Sequence, residues 1–239
     1  MSKHMLRLAA PKTYPILRRE SKYIVKIGAG PHPKEQSLPL LVVLRDMLKI
    51  AHTQNEIKRI LNDKKVIVDG KVRKNPKIPI GFMDIISLPI LKHNYRVLFD
   101  RKGVLHLIKI SDHEAKSKLC KIMDKTIIRD GKIQLNLHDG RNIIVNDQKF
   151  KSGDSILITL PDQKITKHLQ LEREVMVYIT DGKHVGETAT IINFHPIPGS
   201  TEDTVLLKNE TGGEFETLKK YVFVLGKEKS EIHITGEHK

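Results

Sequence analysis

Apolar residues recur at helical spacing after Ser37. Leu40, Leu41, Leu44, Met47, Leu48 and Ala51 fall on one stripe, and Arg45 and Lys49 lie off it, four residues apart. Ser37 as a cap and Pro39 at the first helical position predict where that helix begins. Thr53 and Glu56 predict a capping box for a second helix, with Ile57, Ile60 and Leu61 facing the core and Lys58 and Arg59 pointing elsewhere. The pattern then turns to alternation. Val66 to Val68, the turn Asp69-Gly70, and Lys71 to Arg73 predict a hairpin. A further strand, Ile85 to Leu88, follows Gly81-Phe82-Met83-Asp84.

From Tyr95 the chain reads as short strands. Tyr95 to Phe99 and Val104 to Ile110 flank one turn, Ile133 to Leu137 and Asn142 to Asn146 flank another, and Ser155 to Leu160 ends at Pro161. This regularity predicts a small barrel or sandwich. A third β unit starts at Val175, with strands near 175–180, 188–194, 204–208, 214–218 and 221–225, and a frayed tail follows from Lys227. Residues 1–36 hold no period for long. Pro11, Pro15, Gly28, Gly30, Pro31 and Pro33 punctuate them, and Tyr14 and Tyr23 stand among basic residues. They predict an extended arm that buries little of itself and is ordered by a partner. The expected fold is α+β and multi-domain, with boundaries at 1–36, 37–92, 93–171 and 172–239.

Charge changes the picture. The 239 residues carry 42 Lys and Arg against 28 Asp and Glu, a formal charge of +14. Each of the first three segments carries +6 and the last carries −4. A positive field of this size fits a polyanion such as nucleic acid, against the plainer alternative of a Lys-rich solvated surface. The acidic last segment is not expected to be held to phosphate by bulk electrostatics.

Catalytic chemistry finds no foothold. There is no phosphate-cradling GxxxxGK[ST] loop, Gly28-Ala29-Gly30 runs into prolines, and no HExxH pair occurs among 12 His. His184 and His195 read as turn histidines that could approach each other. The one cysteine, Cys120, excludes a multi-Cys zinc site and reads as a small core residue. No enzyme activity, cofactor, metal or small-molecule substrate is expected. Met1-Ser2-Lys3-His4 has no apolar stretch, and the longest aliphatic run, Leu40 to Leu44, is too short to span a bilayer. The expectation is a soluble, cytoplasmic protein with no membrane contact.

Thr53 to Ile86, TQNEIKRILNDKKVIVDGKVRKNPKIPIGFMDII, resembles the RNA-binding module named after ribosomal protein S-four. That module presents basic residues from two short helices and a hairpin. Here Gly81 to Ile85 carries one extra residue, Lys64 stands where the module has a Gly, and Gln54 stands where it has an Arg. Tyr178 to Ile191, with Gly186 at a sharp turn, resembles a KOW motif. Together with Met5 to Lys12, Gln36 to Leu40 and Lys118-Leu119-Cys120-Lys121, the order of these blocks resembles the small-subunit ribosomal protein S-four-e family, archaeal type. The resemblance implies an S-four-like module after the arm, a central barrel-like β domain and a C-terminal SH3-like KOW barrel. It implies a structural component of the small ribosomal subunit that binds its rRNA and neighbouring ribosomal proteins. An RNA-modifying enzyme and a KOW-type elongation factor are the alternatives. Charge and position nominate Lys3, Arg7, Lys12, Arg18 and Arg19 in the arm as RNA-binding residues. In the module they nominate Arg45, Lys49, Lys58, Arg59, Lys64, Lys65, Lys71, Arg73 and Lys74, and in the last unit Lys183.

Overall fold

A computed structural model describes residues 4–128, 131–199, 202–209, 212–227 and 230–234. It is mostly β, with few helices. The chain divides into two compact units. The first lies within 1–99 and 104–118, the second within 100–103 and 119–235.

The first unit is built on an antiparallel sheet of five strands. These are β4 (Ile67–Val68), β5 (Lys71–Val72), β7 (Ile85–Leu88), β8 (His93–Phe99) and β9 (Leu105–Ile110), lying side by side in the order β5-β4-β7-β8-β9. The Asp69-Gly70 turn closes the expected hairpin, with Val68 opposite Lys71. Strands β8 and β9, expected in a separate domain beginning at residue 93, instead extend this sheet. Ile85 pairs with Arg96, and Val97, Leu98 and Leu105 are buried. A boundary at 92 would leave β7 as an edge of unpaired backbone groups.

The first expected helix is shorter and starts differently. Ser37–Pro39 is a strand, β3, paired with β6 (Pro79–Gly81), and Ser37 Oγ donates to the carbonyl of Pro33 at 2.7 Å rather than capping. Helical residues Leu40–Val42 (α1) lead into a wider turn over Val43–Met47. The amides of Leu40 and Leu41 donate to the carbonyls of Ile78 and Pro76, so the helix start needs no side-chain cap. Leu40 to Leu44 are all buried, so the segment is apolar on every side rather than striped. The second helix, α2 (Gln54–Asn62), forms as expected. Thr53 and Glu56 make the capping box, and Ile57 and Leu61 are buried.

Residues 4–36 correct the expectation of an arm without a core. β1 (His4–Leu6) pairs with β2 (Tyr23–Val25), and Met5, Ala10, Tyr14, Ile24 and His32 are buried. Irregular backbone packs when its carbonyls find donors. Here Arg18 donates to the carbonyls of Ala10 (2.7 Å) and Pro11 (2.8 Å), and the Gly28 amide donates to Lys77. Gly81 lies so close to the His32 ring that a Cβ would stand 2.4 Å from it.

The second unit holds two antiparallel sheets of five strands. One has β12 (Asn142–Val145), β11 (Ile133–Leu137), β10 (Ser117–Ile127), β13 (Ser155–Thr159) and β14 (Ile165–Leu169), in that order. Its core joins Cys120, Ile122, Leu135, Phe150, Ile156 and Ile158. The other runs as a meander through β15 (Met176–Ile179), β16 (Thr188–His195), β17 (Thr204–Asn209) and β18 (Glu214–Leu218). Strand β19 (Val222–Gly226) then returns to pair with β15. Gly186 has φ +80°, and a Cβ there would stand 2.6 Å from the backbone of Asp100, so the position requires glycine.

Candidate nucleic-acid interface

Two acidic residues of the hairpin block, Asp69 and Asp84, serve its interior. Asp69 Oδ1 accepts from the Ile85 amide and Asp84 Oδ2 from the Gly81 amide, each at 2.9 Å. Lys118 Nζ then donates to Asp69 Oδ2 at 2.7 Å and to Asp84 Oδ1 at 2.6 Å. His32 Nε2 lies 3.0 Å from the same Asp84 oxygen. Burial alone would raise the Asp84 carboxyl; Lys118 and His32 beside it prevail and hold it well below the usual carboxylate range. This centre ties the hairpin, the β6–β7 turn, the arm and the start of β10 together. The basic residues are thereby displayed on a braced frame.

The outer surface of the helix–hairpin block is basic. Lys58 and Arg59 are exposed on α2, and Lys64 and Lys65 on the turn that ends it. Lys71 and Lys74 are exposed on the hairpin arm, with Arg73 half-buried between them. Backbone bonds hold the three pieces side by side: the Lys65 amide donates to Ile60, and the Arg73 amide to Val66. Lys64 takes the left-handed φ of +59°, consistent with the Gly that the module places there. Asp63, paired with Lys65 at 2.8 Å, is the exposed acid in this run, since Asp69 is buried. Such a ridge neutralises phosphates without base chemistry.

The remaining nominees separate. Lys12, Arg19 and Lys49 are exposed. Arg7 is buried, paired with Glu20 at 2.9 Å and Ser21 at 2.7 Å, and Arg18 is spent on backbone carbonyls. Both hold the arm's own fold together. The Arg45 guanidinium forms a two-bonded pair with Asp46 at 2.7 and 3.0 Å, which raises its pKa further. Lys3 lies outside the described residues. Lys183 is exposed in the Asp181-Gly182-Lys183-His184 turn of the second unit, whereas the ridge belongs to the first. His184 and His195 do not converge in the bonds they make: His184 pairs with Glu187 and stacks on Phe215, and His195 pairs with Glu216.

In the second unit, Cys120, His138 and Asp139 bring potential ligand atoms within 4.8 Å of one another. Their lone pairs already have uses. Asp139 Oδ2 faces Arg141 Nε at 3.2 Å, and His138 Nδ1 accepts from the Lys121 amide at 3.2 Å.

Known proteins are similar to this chain. Family models match residues 1–35 (the RS4NT domain), 38–86 (the S4 domain) and 91–165 (ribosomal family S4e). A Methanocaldococcus jannaschii protein named small ribosomal subunit protein eS4 is 45% identical over 97% of both chains. A protein of the same name from Methanosphaera stadtmanae is 44% identical, covering 99% of this chain and 97% of its own. The chain belongs to the ribosomal S4e family. The crystal structure of the 30S ribosomal protein S4e from Thermoplasma acidophilum is similar, with a TM-score of 0.70 and 37% identity. It covers 81% of this chain and 97% of that one. Within this S4e chain the S4 match takes in α1, α2 and the hairpin, and so carries every ridge residue from Lys58 to Lys74. The RS4NT match takes in the folded arm and ends at Glu35, two residues before β3. No helix among the described residues is long and apolar enough to cross a membrane.

Proposed function

We propose that this S4e chain is a structural, non-catalytic component of the archaeal small ribosomal subunit, acting in the cytoplasm. It binds the subunit's rRNA and touches neighbouring ribosomal proteins. The observation that carries the reading is the basic ridge of α2, its C-terminal turn and the hairpin, braced from beneath by Lys118, Asp69, Asp84 and His32. Lys58, Arg59, Lys64, Lys65, Lys71 and Lys74 are its phosphate contacts, with Lys12 and Arg19 on the arm and Lys49 at the start of the module adding to them. The ribosomal names of the relatives leave the modifying-enzyme and elongation-factor alternatives without support.

The meander of β15 to β18 closed by β19, with Gly186 at its sharp turn, supports reading 172–226 as an SH3-like KOW barrel. The sheet of β10 to β14 supports a small central β domain. With net −4 over 172–239, the last region makes at most a narrow RNA contact through Lys183 and presents its acids to solvent or a basic neighbour.

Binding of the full chain to small-subunit rRNA at several salt concentrations tests the reading. Changing Lys58, Arg59 and Lys71 to Ala lowers the slope of log K against log salt by about 0.7–0.9 for each phosphate no longer neutralised. An unchanged slope in a folded triple variant removes the ridge as the RNA face.

A further inference from the structure

The first unit carries a second basic feature besides the ridge. A groove of about 1100 Å³ runs between the arm and the start of the module. Pro15, Ile16, Leu17, Tyr23 and Val25 line it with apolar surface from the arm, and Arg45, Asp46, Lys49, His52, Gln54 and Lys77 line it from the module. Its charges are of two kinds. Arg7 is matched by Glu20 and Arg45 by Asp46, so those four contribute little net field. Lys26, Lys49 and Lys77 form no ion pair among the described residues, and Lys49 and Lys77 are exposed. The nearby helix start is not the attraction, because the Glu56 carboxylate already accepts from the His52 and Thr53 amides.

We infer that this groove takes a single-stranded segment of RNA, its phosphates on Lys26, Lys49 and Lys77 and its bases along the Ile16, Leu17 and Tyr23 wall. The choice of single strand over duplex follows from the mixed lining. An A-form helix keeps the flat faces of its bases stacked inside and offers a wall only phosphates, hydroxyls and base edges, whereas an unpaired strand offers phosphates together with flat apolar base faces. Leu17 is 73% exposed and Tyr23 52% exposed, so the wall has apolar surface left to cover. An acidic peptide would satisfy the three ammonium groups but would bring no flat face to the wall. The inference rests on the reading that the chain binds RNA and adds a site apart from the ridge.

The test uses the full chain with four probes: small-subunit rRNA, a 12-nucleotide oligouridine, a 12-base-pair RNA duplex and polyglutamate. Inorganic polyphosphate serves as the phosphate-only control. The groove variant carries Lys26→Gln and Lys77→Gln, and the ridge variant carries Lys58→Ala, Arg59→Ala and Lys71→Ala. In the groove variant the oligouridine slope against log salt falls by about 0.7 for each ammonium removed, while duplex binding holds. The ridge variant shows the reverse. Oligouridine binds more tightly than polyphosphate of equal charge. Wild-type protein that binds rRNA but not oligouridine, or a folded groove variant with unchanged oligouridine binding, overturns the groove alone. So does polyphosphate or polyglutamate binding as tightly as oligouridine with the same lysine dependence. Wild-type protein that binds no rRNA overturns the ribosomal reading as well.

Discussion

Two lysines three residues apart, Lys118 and Lys121, are both buried and are solvated in opposite ways. Lys118, in the first unit, sits between the carboxylates of Asp69 and Asp84. Lys121, in the second unit, donates to the backbone carbonyls of Lys220 and Val222 at 2.8 and 2.7 Å. Burial, with Lys219 adding repulsion, lowers the Lys121 pKa to about 8. Two full negative charges compensate a buried ammonium; two carbonyl dipoles satisfy its hydrogens but leave its charge expensive. The first arrangement is a lock that cannot be opened from one side, and the second is a tether that tolerates loss.

The largest expected effect breaks the lock. Lys118→Met leaves Asp69 and Asp84 buried without the ammonium they share and costs about 3–5 kcal/mol of stability, read by urea denaturation of the full chain. A loss no greater than that of Lys121→Met erases the distinction between the two lysines. Next comes the packing that seats the arm on the lock. Gly81→Ala forces a Cβ against the His32 ring and destabilises by about 1–3 kcal/mol, and His32→Ala in the same chain restores part of the loss. Without that relief the clash lies elsewhere.

The smallest effect sharpens the tether. Lys121→Met removes two hydrogen bonds and one buried charge, for a net loss of about 1 kcal/mol near neutral pH. Its signature is in the pH dependence. Folded Lys121 releases its proton near pH 8 and the unfolded chain near 10.5, so between those values the unfolded state holds more protons and stability rises with pH. That rise is absent from Lys121→Met. If the variant keeps it, another group produces it.

What was legible in the sequence was local. The capping box of Thr53 and Glu56, the Asp69-Gly70 hairpin and the β15–β19 strand segments are each written in residues near one another, and all stand where expected; the turn at Gly186 is local too, but the backbone of Asp100 that forbids a Cβ there is not. What was hidden depends on distant partners. Ser37 and Pro39 carry the signature of a helix start, yet β6, some forty residues on, claims them as a strand. The arm's proline-broken backbone gives no sign that Arg18 will cap its carbonyls. The ridge residues are legible as basic residues because they cluster in the chain. Lys26 and Lys77 are brought to one groove only by the folding back of the arm, and in the sequence Tyr23 among the arm's charges is the one hint of that surface.

The lock also bears on the order in which a chain leaves the ribosome that makes it. His32, Asp69 and Asp84 emerge early, but the ammonium that bridges the two acids is residue 118. Until it arrives, the nascent helix–hairpin block holds two carboxylates with His32 alone beside them, and closing them into the core is unfavourable. At about 5–20 residues per second, the 34 residues from Asp84 to Lys118 amount to a delay of seconds. The helix–hairpin block therefore reaches its final rigidity only after β8 and β9, the strands that extend its sheet, have been made.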